Sequence, residues 1–164
     1  MNAVSDNPCM ACITNCCTIK GLCGLMLTKG EFEAHFMRHA ERLLIRLSDE
    51  YVIISSKEGQ VCPHLEEGGC RIYHDRPIDC RLYPYVMRFV FKKTKRVKIA
   101  LHSRSDCPQK EVLLSPEADA RALVTEFGKK VYGEDKTIIV QRETGLVSRL
   151  QIRIETTINR RRFK

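Results

Sequence analysis

Cysteines are the residues of this sequence best suited to chemistry, and eight of the nine fall into three groups. Four lie near the start as C-x-x-C-x-x-x-C-C, three lie in the centre, and one follows later. The groups are Cys9, Cys12, Cys16 and Cys17; Cys62, Cys70 and Cys80; and Cys107. Two thiols three residues apart can reach one ion from a tight turn, as in zinc knuckles and iron–sulfur sites. The pattern therefore predicts metal binding.

The neighbouring Cys16 and Cys17 constrain how the thiols are shared. Adjacent side chains point apart, so these two do not easily bind one small tetrahedral ion together. Four ligands per centre is the usual number for zinc and for iron–sulfur clusters. Eight cysteines thus fit two four-thiolate centres, or one centre together with redox-active thiols.

Three arginines of the central segment lie close to its cysteines in sequence. Arg71 and Arg81 directly follow cysteines, and Arg76 stands between them. We expect their guanidinium groups to lie beside the metal-binding thiolates and to offset their negative charge. The alternative is that they pair with the acids of the same segment, which are Glu66, Glu67, Asp75 and Asp79.

These motifs resemble the bacterial and archaeal cysteine-cluster (CxxCxxxCC) family of zinc- or iron-chelating proteins. The resemblance spans roughly residues 9–108 and includes "LTKGE", Cys62-Pro63, Arg76-Pro77, Cys80-Arg81 and Cys107-Pro108. It implies that the eight grouped cysteines are the ligands and that iron, as an iron–sulfur cluster, or zinc is the cofactor. Cys23 falls outside the pattern. Flagellin lysine N-methylases contain a similar cluster, but this chain is much shorter and has no glycine-rich nucleotide motif.

Histidines are weaker ligand candidates. His35 and His39 are four residues apart in a predicted helix, and we interpret them as its polar flank. His64 and His74 lie inside the central segment, where either could replace a thiolate. The nearby tyrosines are expected to pack around the cysteine loops; they are Tyr73, Tyr83 and Tyr85.

Length and composition favour one compact unit. The chain has 164 residues, of which 43% are hydrophobic, enough for the core of one domain. No apolar run approaches the roughly 20 residues needed to cross a bilayer, and "MNAVSDNP" does not resemble a secretory signal. We therefore expect a cytoplasmic protein without membrane contact, whose thiols stay reduced.

Positive charge is concentrated in two places. The net charge is +8, and residues 85–104 contain seven Lys and Arg but no Asp or Glu. The end of the chain, "NRRRFK", adds four more basic residues. A solvated basic face is the main interpretation, and an acidic protein or nucleic-acid partner is the alternative.

The elements that must position the cysteines can also be predicted. Residues 27–47 show a capping box, Thr28 with Glu31, and an apolar stripe with helical spacing, so one long helix is expected. Residues 51–55 predict a strand, and the apolar runs 85–91 and 97–101 predict a β-hairpin. A second helix is expected over 115–132, with Ser115 as its N-cap, followed by a strand from residue 137 and a further strand or basic helix near the end.

Together these elements predict an α+β fold. We expect a small single domain, 1–164, with a β-hairpin, two main helices and metal-stapled cysteine loops. Residues 9–108 would form the cysteine cluster, and residues 109–164 a C-terminal helix and basic extension.

The favoured function is metal chelation with a redox or metal-handling role. One alternative is an iron–sulfur-dependent methyl-transfer or redox enzyme. The other is a structural zinc module that binds nucleic acid through the basic hairpin and tail. An enzyme and a binding protein both fit the pattern, and the oligomeric state is not specified by it.

Overall fold

The computed structural model describes residues 21–22, 24–67, 69–92, 94–103 and 117–142. These residues form three α-helices, one 3-10 helix and eight strands. The N-terminal cysteine group, Cys23, Cys107, the N-cap Ser115 and the segment after residue 142 lie outside the described residues. The predictions that concern them stay predictions.

The first sheet is antiparallel and has the strand order β1–β3–β2. Its strands are β1 (Leu25–Thr28), β2 (Leu43–Leu47) and β3 (Tyr51–Ser56). The central strand β3 confirms the prediction for residues 51–55.

Helix α1 (Lys29–His35) follows β1 directly and begins with the predicted capping box. The Thr28 side-chain oxygen accepts a hydrogen bond from the Glu31 backbone N–H at 3.1 Å. A Glu31 carboxylate oxygen accepts one from the Thr28 backbone N–H at 2.8 Å. Two amides at the helix start are thereby satisfied.

The prediction of one helix up to residue 47 is wrong. Helix α1 ends at His35, residues Met37–Arg42 form a 3-10 helix, and the remainder is strand β2. Four of the five residues of β2 are apolar, a short run that fits a strand as well as a helix, and pairing with β3 satisfies the backbone. Leu47, expected on a buried stripe, is 68% exposed at the end of this strand.

A short region carries the three central cysteines between the two sheets. It contains the two-residue strands β4 (Leu65–Glu66) and β5 (Gly69–Cys70), which pair with each other. The one-turn helix α2 (Ile78–Arg81) follows.

The second sheet has the order β6–β7–β8. The antiparallel strands β6 (Tyr85–Lys92) and β7 (Arg96–Ser103) confirm the predicted hairpin. Val97 and Ile99 are fully buried, whereas Arg96 and Lys98 are exposed, so the basic residues of β7 face outwards as expected. Helix α3 (Glu117–Tyr132) confirms the second predicted helix. Strand β8 (Thr137–Arg142) then runs parallel to β7.

Two clusters of buried apolar side chains pack the helices and sheets together. One contains Leu27 with Phe32 and Phe36 of the α1 region, and Cys62 belongs to it. The other joins Met26 to side chains of α2, β7 and α3. Because Met26 and Leu27 are neighbours in β1, their side chains point to opposite faces of the first sheet. The first sheet therefore lies between the two clusters.

The fold class is α+β in a small single domain, as predicted. In the part of the chain that the structure describes, no helix has the length and apolar character needed to span a membrane.

Candidate metal centre

Backbone pairing connects Cys62 and Cys70. The Cys62 carbonyl accepts a hydrogen bond from the Leu65 N–H at 3.0 Å, and Leu65 pairs with Cys70 across the β4–β5 hairpin. The Cys62 side chain is buried in the apolar cluster beside α1, and Cys70 is half-buried. Two candidate ligands are thus held by one hydrogen-bonded segment, residues 62–70, which is the cysteine turn.

Cys80 is held by a different element, the helix α2. Ile78 and Leu82, on either side of Cys80, are buried in the second apolar cluster. The residue before the helix is Pro77, which supplies no side-chain cap. Instead, a Glu31 carboxylate oxygen accepts a hydrogen bond from the Ile78 N–H at 2.7 Å.

Asp79 anchors the same helix from its buried side. Its two carboxylate oxygens accept hydrogen bonds from the N–H groups of Met26, at 2.8 Å, and Met87, at 3.4 Å. Burial raises the pKa of Asp79 to about 7; the two amide donors oppose this rise, and the negative charge of Glu31 adds to it. Asp79 therefore connects α2 to one strand of each sheet.

His64 belongs to the cysteine turn, and its ring contacts the end of α1. The His35 carbonyl can only accept, so the His64 Nε2 carries the proton and donates at 2.7 Å. The His64 Nδ1 then accepts from an Arg71 guanidinium N–H at 3.3 Å. Burial lowers the pKa of His64, against the opposing effect of the bond to His35. Both ring nitrogens are engaged in these bonds, which disfavours His64 as a ligand.

The three arginines have different surroundings. Arg71 lies 3.6 Å from a Glu66 carboxylate oxygen, one of the acids that the alternative interpretation named. The Arg76 guanidinium lies 3.8 Å from the centre of the Tyr73 ring and donates to the Tyr73 carbonyl at 2.8 Å. Arg81 is exposed. A role of these side chains around a metal stays a prediction.

The remaining candidates are placed as follows. His35 and His39 do not share one α-helix, because α1 ends at His35; both rings contact His64 edge-on. His74 is exposed and packs edge-on against Tyr73. Tyr85 is buried in the core.

Among the described residues, no group of three or more His, Cys, Asp or Glu side chains is arranged to hold a metal ion. The remaining five candidate ligands, four N-terminal cysteines and Cys107, lie outside these residues. The chemistry of the donor set nevertheless fits zinc or iron, since soft thiolates bind both metals well.

The sequence did not reveal the roles of Glu31 and Asp79. The capping box identified Glu31, but only for α1. Its bond to Ile78 spans 47 residues, and no local pattern signals such a contact. Asp79 was considered only as a partner for arginine, and in the structure its carboxylate accepts backbone amides.

Comparison with protein families gives one match. The family model with the description "CxxCxxCC: Putative zinc- or iron-chelating domain" matches residues 8–110. This range is more than half of the chain and contains all eight grouped cysteines. Neither the curated proteins nor the solved structures contain a match.

Proposed function

The chain belongs to the CxxCxxCC family, and on this premise we propose that it holds zinc or an iron–sulfur cluster through its cysteine thiolates. The observation that carries the proposal is the combination of this match with three central cysteines built into ordered backbone. Cys62 and Cys70 lie in one hydrogen-bonded turn, and Cys80 lies in a helix anchored in the core.

The chain's own residues would act as ligands and as their supports. Cys62, Cys70 and Cys80 would combine with Cys9, Cys12, Cys16, Cys17 and Cys107 to supply the thiolates. Bound zinc would act as a structural cross-link, whereas an iron–sulfur cluster would supply one-electron transfer. The proposal includes a cytoplasmic location, because reduced thiols are needed.

Arg71 is the basic side chain that would offset thiolate charge at the cysteine turn. Clusters of thiolates carry net negative charge even after the metal is counted. Arg71 hydrogen-bonds to His64 in the turn that contains Cys62 and Cys70, and it also lies 3.6 Å from a Glu66 carboxylate oxygen, which offsets part of its charge. A redox or metal-handling role would use the same centre.

The test is anaerobic purification of the full chain with quantified zinc, iron and sulfide. We expect stoichiometric zinc, or iron with sulfide, in the wild-type protein. Cys70→Ser should lower both metal content and melting temperature, because metal binding contributes to folding. The matched control is Cys23→Ser, which lies outside the family pattern and should leave metal content unchanged. A metal-free wild type, or equal metal content in the two variants, would contradict the proposal.

A further inference from the structure

We propose that Glu31 is a positioning residue for the metal centre, through its hold on the helix that carries Cys80. This inference rests on the proposed function, because it assumes that Cys80 is a ligand. It concerns a residue that lies outside the cysteine groups, in helix α1.

The two carboxylate oxygens of Glu31 serve different elements. One accepts from the backbone N–H of Thr28, at 2.8 Å, and from its hydroxyl, at 3.0 Å, and thereby completes the cap of α1. The other accepts from the Ile78 N–H at 2.7 Å. A single side chain thus fixes the starts of two helices.

Helix α2 needs such external support. It has four residues, which is one turn, and a single turn is costly to form on its own. The first N–H groups of a helix have no partner within it, and Pro77 provides no side-chain acceptor at the N-cap. Glu31 supplies this missing acceptor from a distant part of the chain.

The remaining contacts of α2 hold its buried side, whereas Glu31 holds its N-terminal end. Ile78 and Leu82 anchor the buried side of the helix, and Asp79 connects that side to Met26 and Met87. The bond from Glu31 holds the N-terminal end, two residues before Cys80. Without it, the helix start is free to fray, and the direction of the Cys80 side chain changes with it.

The test compares Glu31→Ala with Thr28→Ala in the full-length, zinc-loaded chain. Each substitution breaks one half of the capping box of α1. Thr28→Ala removes the hydroxyl that accepts from the residue-31 N–H, whereas Glu31→Ala removes the carboxylate that accepts from the residue-28 N–H. Only Glu31→Ala also removes the bond to Ile78. We expect Glu31→Ala to transfer zinc to a coloured chelator about tenfold faster than the wild type. Loss of a residue that orients a metal ligand typically weakens metal binding by about this factor or more. Thr28→Ala should release zinc at the wild-type rate.

Hydrogen exchange provides a readout within α2 itself. The Leu82 N–H donates to the Ile78 carbonyl at 3.0 Å, so its protection should fall in Glu31→Ala and remain in Thr28→Ala. Glu31→Asp shortens the side chain by one methylene and keeps a carboxylate near α1. If Glu31→Ala does not fold, faster zinc release from Glu31→Asp than from Thr28→Ala supports the proposal, and equal release overturns it.

The two proposals fail in different ways. A wild-type protein that binds neither zinc nor iron refutes the proposed function. Normal metal content with equal release and equal Leu82 protection in all variants refutes only the positioning role of Glu31.

Discussion

At the scale of single residues, polar side chains in this protein connect segments that are far apart in sequence. His64 donates to the His35 carbonyl, 29 residues away, and accepts from Arg71. It also packs edge-on against the Phe36 ring, with 5.0 Å between ring centres. The cysteine turn is therefore fixed to the end of α1 by an aromatic, hydrogen-bonded contact.

This contact predicts a cost for His64→Ala. The substitution leaves the part-buried His35 carbonyl without its donor and opens space beside Phe36, so the free energy of unfolding should fall by about 1–3 kcal/mol. The control is His74→Ala, because His74 is exposed and exposed positions usually change stability by less than about 0.5 kcal/mol. Urea denaturation in the presence of a chelator measures folding without the contribution of metal. Equal stabilities of the two variants would contradict this role of His64.

At the scale of elements, helix α3 packs on the second sheet at very short range. Gly128 of α3 is buried, and a Cβ atom added there would lie 2.8 to 3.0 Å from three side-chain carbons of Ile138 in β8. These distances are shorter than any normal carbon–carbon contact. A glycine is thus needed at this helix position for the parallel strand to approach.

The close approach of Gly128 to Ile138 decides whether Gly128→Ala raises or lowers the free energy of unfolding. Alanine favours a helix by about 1 kcal/mol over glycine, but an overpacked core loses about 1–3 kcal/mol. We therefore expect a net loss of stability. Ile138→Val removes the nearest carbon, Cδ1, so Gly128→Ala should cost less in that background. A double-mutant cycle by urea denaturation measures this coupling, and additive effects would show that the two residues do not clash.

Element-scale features also show what could be predicted from sequence. The capping box of α1, strand β3, the β6–β7 hairpin and helix α3 depend on local patterns, and each was confirmed. Strand β2 was missed because a short apolar run fits a helix and a strand equally well, and pairing with β3 decides between them. Likewise, residue types identified the cysteines as candidates, whereas the bond between Glu31 and Ile78 depends on tertiary structure alone.

At the scale of the whole molecule, the C-terminal part completes a core that the cysteine region begins. The family match ends at residue 110, before α3 and β8. Val124 and Phe127 of α3 nevertheless share one buried cluster with Met26 of β1 and Ile78 of α2. The helix that carries Cys80 therefore packs on both parts of the chain.

A polar junction between these parts supports the same conclusion. Tyr132 at the end of α3 and Tyr51 of β3 both pack against the shared cluster. Lys92 of β6 lies 5.7 Å from the centre of the Tyr132 ring and pairs with Glu50 at 2.6 Å. Burial raises the pKa of Tyr132, and Tyr51 and Glu50 add to the rise. The junction thus favours the neutral phenol.

The raised pKa predicts an alkaline loss of stability that Tyr132→Phe removes. Above pH 10 the unfolded chain loses the phenol proton while the folded protein keeps it, so ionisation favours unfolding. The wild-type free energy of unfolding should therefore fall, relative to Tyr132→Phe, by up to about 1.4 kcal/mol per pH unit above pH 10. Below pH 9 the difference between the two proteins should be constant. Urea denaturation between pH 8 and pH 11 measures this, and the near-ultraviolet phenolate absorbance of wild type minus variant locates the titration directly. Because this tyrosine joins α3 to the first sheet, a difference titrating at about 10 in the folded protein would show that the junction is open to solvent.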